Sequence, residues 1–238
     1  MMKERTLVIL SALIKDFIKT ANPVSSKHLL ETCDLNISSA TVRNEFAALE
    51  EVGLIRSPHV SAGKVPTEKG YRFFVDQLMT EEEKNEKLIR EIFEKHIDNY
   101  KLAKAKESLF DAVKLVSHLS NNVAFATLDN DQTFYLGLSN VLRSPEFMAN
   151  PEKGAQIVEV FEGRERFREM LDNMQLAEND VRIFIGEENI MQEVNSCAII
   201  VGKFRGKTAS GYLGILGPMR MKYSFNRALV RNVLDMVL

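Results

Sequence analysis

Ser-Ala-Thr-Val-Arg-Asn-Glu-Phe-Ala-Ala-Leu-Glu-Glu (39–51), continued by Val-Gly-Leu-Ile-Arg (52–56) and Ser-Pro-His-Val-Ser-Ala-Gly-Lys-Val-Pro-Thr (57–67), decides the fold of the N-terminal third of the chain. Ser38 or Ser39 can cap a helix running to about Glu51, its hydroxyl taking up an amide that the first turn leaves unpaired. Val42, Phe46 and Leu49 recur at helical spacing and face a core. Ala40, Arg43, Asn44, Ala47 and Glu51 then turn to the opposite or flanking surface. Gly53 ends the helix and Leu54-Ile55-Arg56 reads as a strand. Residues 57–64 form a turn-rich tip, Val65 offers a short return strand, and Thr67 caps a helix reaching Met79.

Upstream, Leu7, Leu10, Ile14, Phe17 and Ile18 make an apolar stripe on a first helix that ends near Thr20. Asn22-Pro23 breaks the chain, because proline disfavours helix in the residue before it. Ser25 caps a short second helix carrying Leu29 and Leu30, and Cys33 to Ile37 is a turn. Three helices and a hairpin are the elements of a winged helix-turn-helix, with the third helix as its recognition helix. Small side chains at Ala40 and Ala47 permit close backbone approach to a groove. Arg43 can fork onto guanine and Asn44 onto adenine, the two commonest bidentate pairings. Such helices enter the major groove with their N-terminal residues. Between Arg56 and Arg72 stand Arg56, Lys64, Lys69 and Arg72, with His59, against the single acid Glu68. This local excess suits phosphate. The expected DNA contacts are Ser39, Ala40, Thr41, Arg43 and Asn44 on the helix, and Arg56, His59, Ser61 and Lys64 on the wing. A generic helix with an exposed Arg-Asn pair and a solvated basic loop is the plainer alternative.

The remaining 160 or so residues read as a different kind of domain. A dense charged stretch opens after Thr80, and Glu83–Lys87, Glu86–Arg90 and Glu91–Lys95 pair acid to base at i,i+4. With Ile89, Ile92, Phe93, His96 and Tyr100 on one side, residues 80–100 read as a charged helical linker, either a surface helix or one that pairs two chains. Beyond it the pattern predicts a helix over Lys104–Leu119, with Leu109, Val113, Val116 and Leu119 on its apolar face. Strands are expected at Val123–Leu128 and Phe134–Leu138, a helix at Arg164–Met174, strands at Val181–Ile185, Cys197–Phe204 and Ala209–Leu216, and a closing helix at Ser224–Val237. The fold class is α+β, with domains at 1–79 and 101–238.

Bulk composition narrows the function classes. A net charge of −2 over 238 residues excludes a histone-like polycation but not a local DNA-binding patch. The only cysteines, Cys33 and Cys197, are too few for a disulfide framework or metal cluster. The N-terminus lacks the apolar core of a signal peptide, and no apolar run is long enough for a membrane span, so a cytoplasmic protein is expected.

The runs Asn-Pro-Val-Ser-Ser (22–26), Ser-Ser-Ala-Thr-Val-Arg-Asn-Glu (38–45), Leu-Glu-Glu-Val-Gly-Leu-Ile (49–55) and Pro-His-Val-Ser-Ala-Gly-Lys-Val-Pro-Thr-Glu-Lys-Gly-Tyr-Arg (58–72) resemble the HrcA family of heat-inducible transcription repressors. The likeness resumes at Phe-Tyr-Leu-Gly-Leu-Ser-Asn-Val-Leu (134–142), Ser-Pro-Glu-Phe (144–147) and Gly-Ile-Leu-Gly-Pro-Met-Arg-Met-Lys-Tyr (214–223), and so spans nearly the whole chain. The resemblance implies a repressor of chaperone operons that binds an inverted-repeat operator in double-stranded DNA as a homodimer. It also implies a GAF-like fold for the second domain and a GroE-type chaperonin as partner. Typical members carry a dimerising subdomain inserted between the segments matching Asn122-Val123-Ala124 and Phe134-Tyr135. Only Phe125 to Thr133 connects them here, which puts the dimer interface in question. The candidates are the linker stripe and the second domain, where Leu229, Val233 and Val237 on the last helix are favoured to extend a shared core.

Other signals are weak. Gly211, Gly214 and Gly217 suggest a phosphate loop, but no Lys-Ser/Thr follows, and a strand leading into a turn is the better reading. Gly186-Glu187-Glu188 has no partner carboxylate or histidine at a sensible spacing. His28, His59, His96 and His118 are scattered without metal-ligand spacing, Cys197 lies in an apolar strand, and no cofactor or catalytic set can be assembled. A ligand-sensing regulator with another signal and an enzyme with an accessory winged domain are the rival readings.

Overall fold

The computed structural model describes residues 2–79 apart from 34, 36, 60 and 61, and residues 108–237 apart from 130, 131, 179 and 206–209. The chain divides into two compact units, Met1–Thr80 and Glu81–Leu238. The expected linker (80–100) and the first residues of the helix expected from Lys104 lie outside the described residues, as does Ser61.

In the first unit, α1 (Glu4–Thr20), α2 (Ser26–Thr32) and α3 (Ser39–Glu51) precede a two-stranded antiparallel hairpin, β1 (Ile55–Arg56) and β2 (Val65–Pro66). Then comes α4 (Glu68–Phe73), which widens into a π-helical turn over Phe74–Leu78. The caps are those the hydroxyls promised: the Ser25, Ser38 and Thr67 side chains accept from the amides of His28, Thr41 and Gly70. On α1 the buried face is Thr6, Ile9, Leu10, Leu13 and Ile14. This corrects the expected stripe, whose Leu7, Phe17 and Ile18 lie only at its margin. Residues 6, 9, 10 and 13 share one side of a 3.6-residue helix, and the expected set was rotated from it. Val42, Phe46 and Leu49 of α3 are all buried, as expected.

The second unit is a five-stranded antiparallel sheet in the order β4-β3-β7-β6-β5, with helices on both faces. The strands are β3 (Val123–Leu128), β4 (Thr133–Leu136), β5 (Val181–Ile185), β6 (Cys197–Arg205) and β7 (Ser210–Pro218). The α+β class is as expected. Alternate residues divide the sheet between two cores. Val123, Phe125, Ile199, Val201, Tyr212 and Leu216 meet one helical layer. That layer includes α8 (Pro151–Glu162) and α9 (Arg164–Asn173), through Ile157, Phe161, Phe167 and Leu171. The opposite face packs against α5 (Leu109–Ser120) and the last helix, α10 (Tyr223–Val237).

Several expectations need correction. The strand expected at Phe134–Leu138 stops at Leu136, because Gly137 turns the chain at φ 93 into α6 (Leu138–Leu142). Next comes α7 (Pro145–Met148); neither α6, α7 nor α8 was anticipated. On α5 the buried set is Ala112, Val113, Leu115, Val116 and Ser117, while Leu109 and Leu119 are only partly covered. Leu229 and Val233 are wholly buried within their own unit. They are not available to a second chain, and nothing is described of the Val237 side chain.

The glycine triad has a packing role. A side chain at Gly211 would strike the Thr127 carbonyl, at Gly214 the Phe125 ring, and at Gly217 the Asn122 amide. The small residues let β7 lie close to its neighbours.

Candidate nucleic-acid interface

The first unit builds its exposed polar surface on the outer side of α3 and on the hairpin that follows. Ala40, Arg43, Asn44 and Ala47 are exposed on α3, and Ser39 and Thr41 are partly so. Arg56, on β1, and His59, on the tip, are exposed as well. The 13 residues of α3 extend about 18 Å along the axis, at 1.5 Å per residue.

Arg43 is tethered. Its Nε donates to Ser26 Oγ at 3.4 Å, and Ser26 Oγ lies 3.1 Å from Ser39 Oγ. With Nε so engaged and the residue exposed, the two terminal nitrogens are left for a fork onto a base edge. Asn44 is exposed beside it.

Glu45, between these two exposed residues and the core, was missed by the sequence reading. It is 7% exposed, accepts from Thr6 Oγ1 at 2.6 Å and from Arg5 Nε at 2.9 Å, and so fastens α3 to α1. The Thr6 hydroxyl and the Arg5 guanidinium hold its carboxyl below the usual carboxylate range, against the opposing effect of burial. The signal was present: residue 45 is three beyond Val42 and four before Leu49, on the buried face of the helix wheel.

The hairpin is fastened at its base. Val24, between α1 and α2, exchanges backbone hydrogen bonds with Lys64 at 2.9 and 2.8 Å. Gly63 permits this approach, since a Cβ there would sit 2.5 Å from the Val24 carbonyl carbon. The basic residues counted from sequence are not equivalent. The Lys64 ammonium bonds to the Glu50 carboxylate and, at 2.7 Å, to Ser57 Oγ. Arg72 pairs with Asp76 at 3.2 Å, and Lys69 donates to the Val52 carbonyl at 2.8 Å. Arg56 and His59 have no such neighbour among the described residues and remain the available cationic and imidazole groups of the hairpin.

The described residues of the second unit offer a site of another kind. An open groove of about 650 Å³ is lined by Gln156, Arg166, Ile190, Met191, Gln192 and Glu193. Its two charges satisfy each other, with Arg166 Nη2 2.8 Å from Glu193 Oε1. Cys197 is fully buried, and desolvation pushes its thiol up to about 12. Among the described residues no group of His, Cys, Asp and Glu is placed to hold a metal ion, and no helix is long and apolar enough to cross a membrane.

Known proteins resemble this chain over almost its whole length. The heat-inducible transcription repressor HrcA of Ruminiclostridium cellulolyticum is 25% identical, with 94% of this chain and 93% of that protein covered. The protein of the same name from Carboxydothermus hydrogenoformans is 28% identical, covering 97% of this chain and 95% of its own. A third, from a Nocardioides species, is 55% identical over 80 residues, 34% of this chain and 24% of that one. The first comparison extends over 324 positions against 238 residues here, so the relative contains a long stretch with no counterpart in this chain. A crystal structure of a hypothetical protein shares the fold, with a TM-score of 0.76 at 17% identity over 100% of this chain and 98% of that one. The model of the HrcA protein C-terminal domain matches residues 71–225, more than half of the sequence, and the chain belongs to the HrcA family.

Proposed function

We propose that the protein is a non-enzymatic, DNA-binding transcriptional repressor of heat-shock chaperone genes. Residues 1–79 act as a winged helix-turn-helix, 80–100 as a linker and 101–238 as a GAF-like regulatory domain. One observation carries the DNA reading: α3 buries Val42, Phe46 and Leu49 while presenting Arg43 and Asn44 to solvent, beside a hairpin with an exposed Arg56. In this reading Ser39, Ala40, Thr41, Arg43 and Asn44 enter the major groove, and Arg56, His59 and Ser61 meet the backbone. Lys64 reaches a phosphate only by leaving Glu50. The heat-shock assignment is supported by the relatives named heat-inducible transcription repressor.

The operator is an inverted repeat, the protein acts in the cytoplasm as a homodimer, and a GroE-type chaperonin is its folding partner. These points come from the family resemblance. The direct β3–β4 pairing, Thr127 opposite Thr133, occupies the place where typical members insert a subdomain, so the dimer forms through another surface.

The decisive experiment is protection mapping and affinity measurement on DNA upstream of the organism's own chaperone genes. Arg43→Ala and Asn44→Ala should each cost about 1–3 kcal/mol in operator binding and relax preference at one base position. Specific affinity untouched by Arg43→Ala in a folded protein would refute the assignment of α3.

A further inference from the structure

We propose that Glu50 is a positioning residue for the wing, and that it decides which cations of the hairpin reach DNA by keeping Lys64 within the protein. The inference rests on the DNA-binding reading of the first unit. Glu50 stands one residue before the end of α3, where its carboxylate meets both arms of the hairpin. Its Oε1 accepts from the Ser57 backbone N–H at 2.9 Å and from Ser57 Oγ at 3.0 Å, just beyond β1. Its Oε2 accepts from Lys64 Nζ, just before β2, and that same ammonium donates to Ser57 Oγ at 2.7 Å. One carboxylate therefore ties the recognition helix to the outgoing and the returning strand. The Lys64 backbone is held as well, through Val24. Two fixed points on one residue set the angle of the hairpin against α3 more firmly than the short β1–β2 ladder alone.

The same contacts redistribute charge. The Lys64 side chain is 19% exposed and its charge is matched by Glu50, so the pair is close to neutral as DNA meets it. Moving Lys64 to a phosphate would strand the Glu50 carboxylate, held below its usual range chiefly by that ammonium, next to the DNA backbone. Sequence-independent grip on the wing side is thereby limited, and a larger share of affinity is left to the base-reading helix.

The test measures binding of the full-length protein to a mixed-sequence duplex over a range of salt concentrations. Wild type, Lys64→Ala, Glu50→Gln and the double variant are compared. Each phosphate contact contributes about 0.9 to the slope of log affinity against log salt. Lys64→Ala should leave that slope at the wild-type value. Glu50→Gln, which frees the ammonium, should steepen it by about 0.9, and the double variant should return to wild type. A slope reduced by about 0.9 in Lys64→Ala alone would overturn the proposal, as would a Glu50→Gln slope equal to wild type in a folded protein. Should Glu50→Gln fail to fold, Lys64→Ala by itself still decides the question. Wild type that binds no duplex would refute the DNA reading and the charge assignment with it. In that case an NMR titration of the Glu50 carboxyl tests the clamp alone: a rise in Lys64→Ala upholds it, and no change removes it.

Discussion

Removing the Glu45 carboxylate should loosen the first unit by an amount that the structure lets us work out. Glu45→Ala strips Thr6, itself only 5% exposed, of its acceptor. A buried hydrogen bond to a charged group is worth about 1.5–3 kcal/mol. The Arg5 pair adds about 0–1 kcal/mol, because the Arg5 side chain is 48% exposed and water replaces much of the lost contact. Alanine's better helix propensity returns a few tenths, about 0.4 kcal/mol. The net loss is about 1–3.5 kcal/mol, which should speed amide hydrogen exchange in α1 and α3 about 5- to 300-fold, at 1.4 kcal/mol per factor of ten. The effect must also depend on pH. Glu45 is more acidic folded than unfolded. Its contribution is therefore complete above the unfolded value of about 4.3 and fades as pH falls through the lower folded value. Wild type and variant should converge in acid. Equal protection at neutral pH, or a gap that stays undiminished in acid, would refute the reasoning.

Thiol reactivity offers a second check: at neutral pH an aromatic disulfide reagent should label Cys33, which is partly exposed, and reach Cys197 only after denaturation. Leu229→Ala should destabilise the second unit by about 2–5 kcal/mol while leaving the sedimentation of the folded protein unchanged; a folded monomer would instead place Leu229 in an interface. Sedimentation of the full-length protein should show a dimer, and a protein that stays monomeric even on a duplex with two half-sites would refute pairing as a requirement.

The elements of the first unit were legible because each is punctuated locally. Ser25, Ser38 and Thr67 announce their helices, and Val42, Phe46 and Leu49 announce a face. What escaped was pairing at a distance. Lys64 looks like a free cation until hairpin closure brings it to Glu50, fourteen residues away. In the second unit Asn150-Pro151 is a local start signal for α8, with Asn150 accepting from the Lys153 amide, although no helix was expected there. The last helix shows a different limit. Periodicity marks Leu229 and Val233 as one apolar face without saying what covers it, and the cover is the sheet of the same chain rather than another subunit. Strand order was out of reach, since local patterning contains nothing that sets β3 beside β7.

That adjacency has a consequence during synthesis. Val123 waits for Leu216 and Leu128 for Gly211, so the sheet cannot close until the ribosome has made most of the chain. At bacterial elongation rates the interval from β3 to β7 is about 5–20 s. The first unit is complete in the chain at Thr80, before any strand of the second has been made. For those seconds each nascent molecule displays a completed first unit followed by strands whose apolar residues, Val123 and Phe125 among them, have no partner strand on one side. Maturation of the protein is therefore paced by its C-terminal third, and any factor that shelters an unpaired strand acts on the second unit.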